Sequence, residues 1–155
     1  LRMFTFLPHE QIERLDADTR ERPHLRAGQR VLAQELTTLV HGADQTARVE
    51  AASSALFGKG DLAALDAETL GAALHETPHV RVPAGELPPL VDLLAATELS
   101  PSKSAARRAV SEGGAYLNNV RQSDPDYRPA ADDLVHGRWL VLRRGKRAVA
   151  GVEVV

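Results

Sequence analysis

Three cations and a hydroxyl share one arc of a short helical segment. At about 100° per residue, Lys103, Arg107, Ser104 and Arg108 fall together on one side of the stretch 102–112. Ala105, Ala106, Ala109 and Val110 fall on the other, an apolar stripe of small residues that lets the helix approach a neighbour closely. Cations near a helix N-terminus oppose the macrodipole, so Lys103 and Arg107 sit where helix stability alone favours acids. An anion docked on the free N–H groups and these side chains reverses that penalty. A second cluster, Arg143, Arg144, Lys146 and Arg147, packs four cations into five residues around Gly145. A run that dense is ordinarily a solvated loop. Two such clusters within one module of about 65 residues point instead to a polyanion, held by phosphate contacts that release counterions and are therefore salt-sensitive. With no helix-turn-helix and no zinc motif in the sequence, RNA is favoured over DNA.

The bulk composition conceals this. The chain has 155 residues, 43% hydrophobic and 26% charged, the profile of a globular domain or two small ones. It contains no cysteine, which excludes a disulfide scaffold and thiolate metal sites and leaves cytoplasm as the expected compartment. No run of 18 apolar residues is present, so no membrane partner is expected. The net charge of −2 argues against nucleic acid until it is divided. Residues 1–99 hold 9 basic and 15 acidic side chains, whereas residues 100–155 hold 10 basic and 6 acidic ones. A sign change between halves indicates two modules, the second facing the polyanion. Leu1 is not an initiator and no secretory signal pattern follows it, so the sequence reads as part of a longer chain.

The elements that must position the clusters follow from stops and caps. Pro8 opens a helix carrying Ile12 and Leu15. A second helix starts at Pro23, gathers Leu25, Leu32, Leu36, Leu39 and Val40 on one side, and ends at His41-Gly42. Asp44 is the expected cap of a third, closed by Gly58, and Asp66 of a fourth, with a Leu65–Leu70 staple and Pro78 as its stop. These predict a small, mostly helical bundle over 1–80. The proline-rich stretch 81–89 is the expected linker, with room for one short strand around "HVRV". Residues 90–155 predict an α+β module: an apolar helix over 90–99, then the cationic helix with Ser100 as cap and Pro101 at its first position, ending at Gly113-Gly114. Strands follow at 115–117, 120–121, 138–143 and 148–155, with Asn118-Asn119 and Gly145 in the turns.

Other chemistry is thinner. Ser100 and Lys103 match a Ser-x-x-Lys pattern whose partner motifs are absent. His75 and His79 flank Pro78, which denies them a shared helical face for a metal, and His9, His24 and His41 lack spaced carboxylates. Asp124, Asp126, Asp132 and Asp133 form an acidic, proline-containing loop. Gly58-Lys59-Gly60 is too short for a phosphate loop, and Trp139 is expected to pack in the sheet. No catalytic residue and no metal site are expected.

The segment "SPSKSAARRAVSEGGAYLNN" (100–119) resembles the helix–turn–strand signature of the S-four-type RNA-binding module. With "LRMFTFL", "RPHLRAGQRVLAQELTTLVHG", "ASSALFG" and "HGRWLVLRRGKR" in order along the chain, the whole is similar to the C-terminal portion of bacterial tyrosyl-tRNA synthetases. The resemblance implies a helical anticodon-arm domain followed by an S-four-like domain, with tyrosine tRNA as partner. It also implies RNA contacts from Ser102, Lys103, Arg107, Arg108, Arg143, Arg144, Lys146 and Arg147. Neither the "HIGH" nor the "KMSKS" ATP motif of the family occurs, so no cofactor is expected here, ATP belonging to a catalytic domain elsewhere in the parent. That domain would also carry homodimerisation, leaving this chain a monomer without ligase activity of its own. Family members often have Asn-Gly where Asn118-Asn119 stand. Two other readings use the same residues: the RNA-binding domain of an RNA-modifying enzyme, and a protein-interaction module with a basic face.

Overall fold

A computed structural model describes residues 5–58 and 60–155. Residues 1–4 of the "LRMFTFL" segment and Lys59 of the Gly-Lys-Gly triplet lie outside the described residues. The chain divides into two compact units, one up to Arg48 and one from Val49 to Val155.

In the first unit, Pro8 precedes helix α1 (His9–Glu21), which buries Ile12. The helix expected from Pro23 is interrupted. A single 3₁₀ turn over Pro23–Leu25 ends at Arg26, whose φ of 52° lies in the left-handed region, and helix α2 (Ala27–His41) starts after it. The positive φ at Arg26 breaks the i→i−4 ladder that a continuous helix needs. Gly42 stops α2 as expected, with φ 85° and its N–H donated to Thr38 O at 2.9 Å. Leu36, Leu39 and Val40 remain exposed on α2. Helix α3 (Ala43–Leu56) follows directly, so Asp44 lies in its first turn and does not cap it.

The second unit is α+β, a five-stranded sheet with helices on both faces. Its strands are β1 (His79–Val82), β2 (Ala115–Leu117), β3 (Val120–Gln122), β4 (Trp139–Arg144) and β5 (Ala148–Val154). Their order is β1-β5-β4-β2-β3, with β1 parallel to β5 and every other pair antiparallel. Helices α5 (Leu90–Ala96) and α6 (Lys103–Ser111) cover one face, where Leu90, Leu94, Ala106 and Val110 meet Leu117, Leu140, Leu142 and Val152. The end of α3 and helix α4 (Ala67–His75) cover the other, where Leu56, Leu70 and Leu74 meet Trp139, Val141 and Val149. Strand side chains alternate between faces, so the first four residues of β4 are all apolar: Leu140 and Leu142 serve one core, Trp139 and Val141 the other. Each such leucine taken fully from water contributes about 1.5–3 kcal/mol.

The local signals that set these elements are specific. Asp66 caps α4 by accepting from Thr69 N at 2.7 Å. Gly71 lies against the indole of Trp139; a Cβ there would meet Cζ2 at 3.0 Å, so α4 seats on the sheet through its bare backbone. Residues 81–89, expected as a linker, contain the end of β1 and two buried core residues, Val82 and Leu87. The register His79↔Gly151 to Val82↔Val154 fastens this stretch to the last strand of the chain.

Candidate nucleic-acid interface

Helix α6 is capped by Ser102, not by Ser100. The Ser102 backbone is extended (φ −161°, ψ 163°) and its Oγ accepts from Ala105 N at 3.2 Å, so Pro101 lies outside the helix. Ser100 belongs to the end of α5 instead. Its N–H donates to Leu94 O at 2.9 Å, just past a left-handed Glu98, and its side chain is buried. Ala106, Ala109 and Val110 are buried against α5 and the sheet, which leaves Lys103, Ser104, Arg107 and Arg108 outside. The helix ends where expected: Gly113 (φ 67°) donates to Val110 O and Gly114 to Ala109 O, both at 2.8 Å.

The β2–β3 turn places Asn118 and Asn119 at φ 47° and 66°, the left-handed pair of a type I′ hairpin. Both asparagines have further partners. Asn118 Oδ1 accepts from Val141 N at 2.9 Å, and its amide donates to Asp133 O. The Asn119 amide donates to Ala55 O at 2.7 Å. A glycine in that second position would supply the turn and lose the tie to α3.

The two cationic clusters meet only in part. Because β2 pairs with β4, Ala115 opposite Arg144, and Gly145 N donates to Gly114 O at 2.8 Å, the β4–β5 turn lies next to the end of α6. A cleft of about 430 Å³ opens between them, lined by Ser102, Ser104, Arg108, Glu112, Arg144 and Gly145 among others. Arg144 is held there by donation to Leu99 O at 3.0 Å. Among the described residues, Arg108, Lys146 and Arg147 form no ion pair, and all three are exposed. Lys103 and Arg107 border a second cleft of about 370 Å³ on the other flank of α6. There Lys103 Nζ lies 2.9 Å from Asp92 Oδ2, and Arg107 Nη2 lies 2.6 Å from Asp126 Oδ1. Arg143 points away from both clefts. Its guanidinium stacks 4.3 Å over the Tyr116 ring and donates to Phe57 O at 3.3 Å.

Sequence reasoning missed the carboxylates that occupy Lys103 and Arg107, and it missed a buried ionic cluster. Glu153, with no exposed surface, accepts from Arg81 Nε at 2.8 Å and from Arg138, with His75 Nε2 at 3.7 Å. The Arg81 hydrogen bond holds its carboxyl below the usual range, and Arg138 acts in the same direction against the effect of burial. Tyr127 titrates above its ordinary value because its hydroxyl is donated to Asp133 Oδ2 at 2.8 Å. No group of three or more metal-ligating side chains occurs among the described residues, the acidic loop included. No helix among them is long and apolar enough to cross a membrane.

A two-faced α+β sheet module with a cationic helix and hairpin turn at one edge is the class that fold and site define. Residues 69–150 match the family model for the tyrosine–tRNA ligase SYY-like C-terminal domain, and residues 1–58 match that for class I tRNA synthetases of the tryptophan and tyrosine type. The chain is 62% identical over 154 residues to a tyrosine–tRNA ligase of Streptomyces avermitilis, covering 99% of this chain and 36% of that protein. It is 60% identical to one of Thermobifida fusca, covering 98% and 36%. A solution structure of a tyrosyl-tRNA synthetase C-terminal domain superposes with a TM-score of 0.50 at 32% identity, over 62% of this chain and 96% of that one. The chain belongs to the tyrosine–tRNA ligase SYY-like C-terminal domain family. It spans a little over a third of the length of these curated relatives.

Proposed function

We propose that this chain is the tRNA-binding portion of a tyrosine–tRNA ligase and positions tyrosine tRNA without doing chemistry itself. The observation that carries this reading is the cleft that runs along α6 from its Ser102 cap to Arg108 in its last turn and meets Arg144 at the end of β4. Free helix N–H groups, two guanidiniums and the nearby Lys146 and Arg147 suit a phosphate backbone and offer nothing that would cleave or transfer a bond. Lys103 and Arg107 add cations on the other flank of the helix, Ser102 fixes the helix start, and Arg143 supports the strand beneath. In this reading ATP and dimer contacts belong to the part of the ligase beyond this chain. The chain itself needs no cofactor, is a monomer and works in the cytoplasm.

Filter binding of a tyrosine tRNA transcript across a salt series tests the reading. Affinity should fall with log salt at a slope of about −0.7 to −0.9 per phosphate contacted. Reversing Arg108 and Arg144 together to Glu should weaken binding at least about tenfold, since two favourable contacts become repulsive. Binding that ignores salt, or survives that double reversal, rejects the interface. Equal competition by poly-glutamate and tRNA would favour a protein-interaction module instead.

A further inference from the structure

The cations on the two flanks of α6 are not equivalent. Every cation bordering the second cleft is already paired: Lys103 with Asp92, Arg107 with Asp126, and Arg128 with Glu86 at 2.8 Å. On the first flank, Arg108 has no carboxylate partner among the described residues. The two acids that pair with α6 stand on anchored backbone. Asp92 projects from α5, whose Leu90, Val91, Leu93 and Leu94 are buried. Asp126 sits in a loop pinned on both sides: its own N–H donates to Asp124 Oδ1 at 2.9 Å, Tyr127 O accepts from Leu90 N at 2.9 Å, and the Tyr127 hydroxyl is donated to Asp133. Two carboxylates on anchored backbone thus meet two long cations on the helix proposed to take RNA.

We propose that Asp92 and Asp126 are resident counter-charges that occupy Lys103 and Arg107 until an RNA phosphate displaces them. This rests on the RNA-binding reading above and assigns these acids a role in specificity. A phosphate arriving at Arg108 and Arg144 meets open cations. One arriving at Lys103 or Arg107 must first break an ion pair and leave a carboxylate beside the RNA backbone. An RNA that engages only the second flank is therefore bound weakly, whereas one that spans both flanks gains enough from the first to open the second. The acids lower total affinity and raise the difference between matched and unmatched RNA.

The test compares the 155-residue chain with Asp92→Asn, Asp126→Asn and the control Glu76→Gln, which removes an exposed charge at the end of α4. The probes are tyrosine tRNA transcript and poly(U) in salt titrations, with circular dichroism melts to establish that each variant is folded. Each Asp→Asn change should tighten binding about two- to fivefold, the range expected for exposed ion pairs, and more for poly(U) than for tRNA. Each should also steepen the salt slope by a little under one, because one more cation now releases its counterion. Asp126→Asn, in an exposed loop, keeps the test open if Asp92→Asn disturbs α5. Unchanged or weaker binding by Asp126→Asn, or an equal gain in Glu76→Gln, overturns the counter-charge role while leaving RNA binding intact. If neither the unmodified chain nor any variant binds either RNA at low salt, the RNA reading fails and the inference fails with it.

Discussion

Arg143 illustrates how little a charge run says about the individual residue. It stands among Arg144, Lys146 and Arg147, yet its guanidinium lies over Tyr116 and reaches Phe57 O, and its buried Nε has no partner among the described residues. Gly58, at φ 78°, gives it room, since a Cβ there would lie 2.8 Å from Nη2. Arg143→Ala should therefore reduce stability by about 1–2 kcal/mol in urea unfolding, from the lost cation–π contact and hydrogen bond. The salt slope of tRNA binding should stay as it was. Lys146→Ala and Arg147→Ala should do the reverse, flattening the slope and sparing stability. If Arg143→Ala flattens the slope while leaving stability alone, Arg143 belongs to the interface. Asn118 is the other residue whose type is fixed by more than its turn. Asn118→Ala leaves Val141 N and Asp133 O without their partner and forces a left-handed alanine. That should cost about 2–3 kcal/mol by the same measurement.

At the scale of elements, those whose ends carry chemistry were legible from the sequence. Asp66, Gly42 and the Gly113-Gly114 pair act where their types predict because each satisfies backbone groups within five residues of itself, and the Asn118-Asn119 turn does because both asparagines take the positive φ it needs. Where two candidates compete locally, the outcome depends on packing that no local pattern carries. Ser100 and Ser102 flank the same proline, and burial of Ser100 at the end of α5 leaves Ser102 to cap α6. "HVRV" was legible as a strand but not as a member of this sheet, since its partner lies about 70 residues on at the end of the chain. The cationic clusters were legible by type, but Asp92 and Asp126 were not legible as their partners, because those contacts join α5 and a loop to α6. The α4–sheet contact offers a direct check at this scale. Trp139 is 3% exposed and faces Gly71, so Trp139→Ala should open a void under α4 and cost about 3–5 kcal/mol in denaturant unfolding. A loss below about 1 kcal/mol would mean that α4 does not depend on the indole.

The second unit as a whole is closed by one carboxylate. Glu153, on the last strand, gathers Arg81 from β1, Arg138 from the entry to β4 and His75 from the end of α4, so three separate stretches of chain converge on one buried side chain. Its pKa is lower in the folded state than in the unfolded chain, chiefly through the Arg81 hydrogen bond. The folded state thus binds this proton less readily than the unfolded one. The stabilisation is fully present above the ordinary glutamate value of about 4.3 and is lost as pH falls through the lower folded value. Thermal melts from neutral pH down to about pH 3 should show a midpoint that is steady above about pH 5 and drops below it. Glu153→Gln should melt at a lower temperature at pH 7, because two guanidiniums lose their charged partner, and its midpoint should fall less across the acid range. The other carboxylates titrate in both chains, so the narrowing gap between the two curves isolates Glu153. Curves that run parallel from pH 7 to pH 3 would show that the carboxylate's charge does not hold these strands together, and that the cluster acts through shape alone.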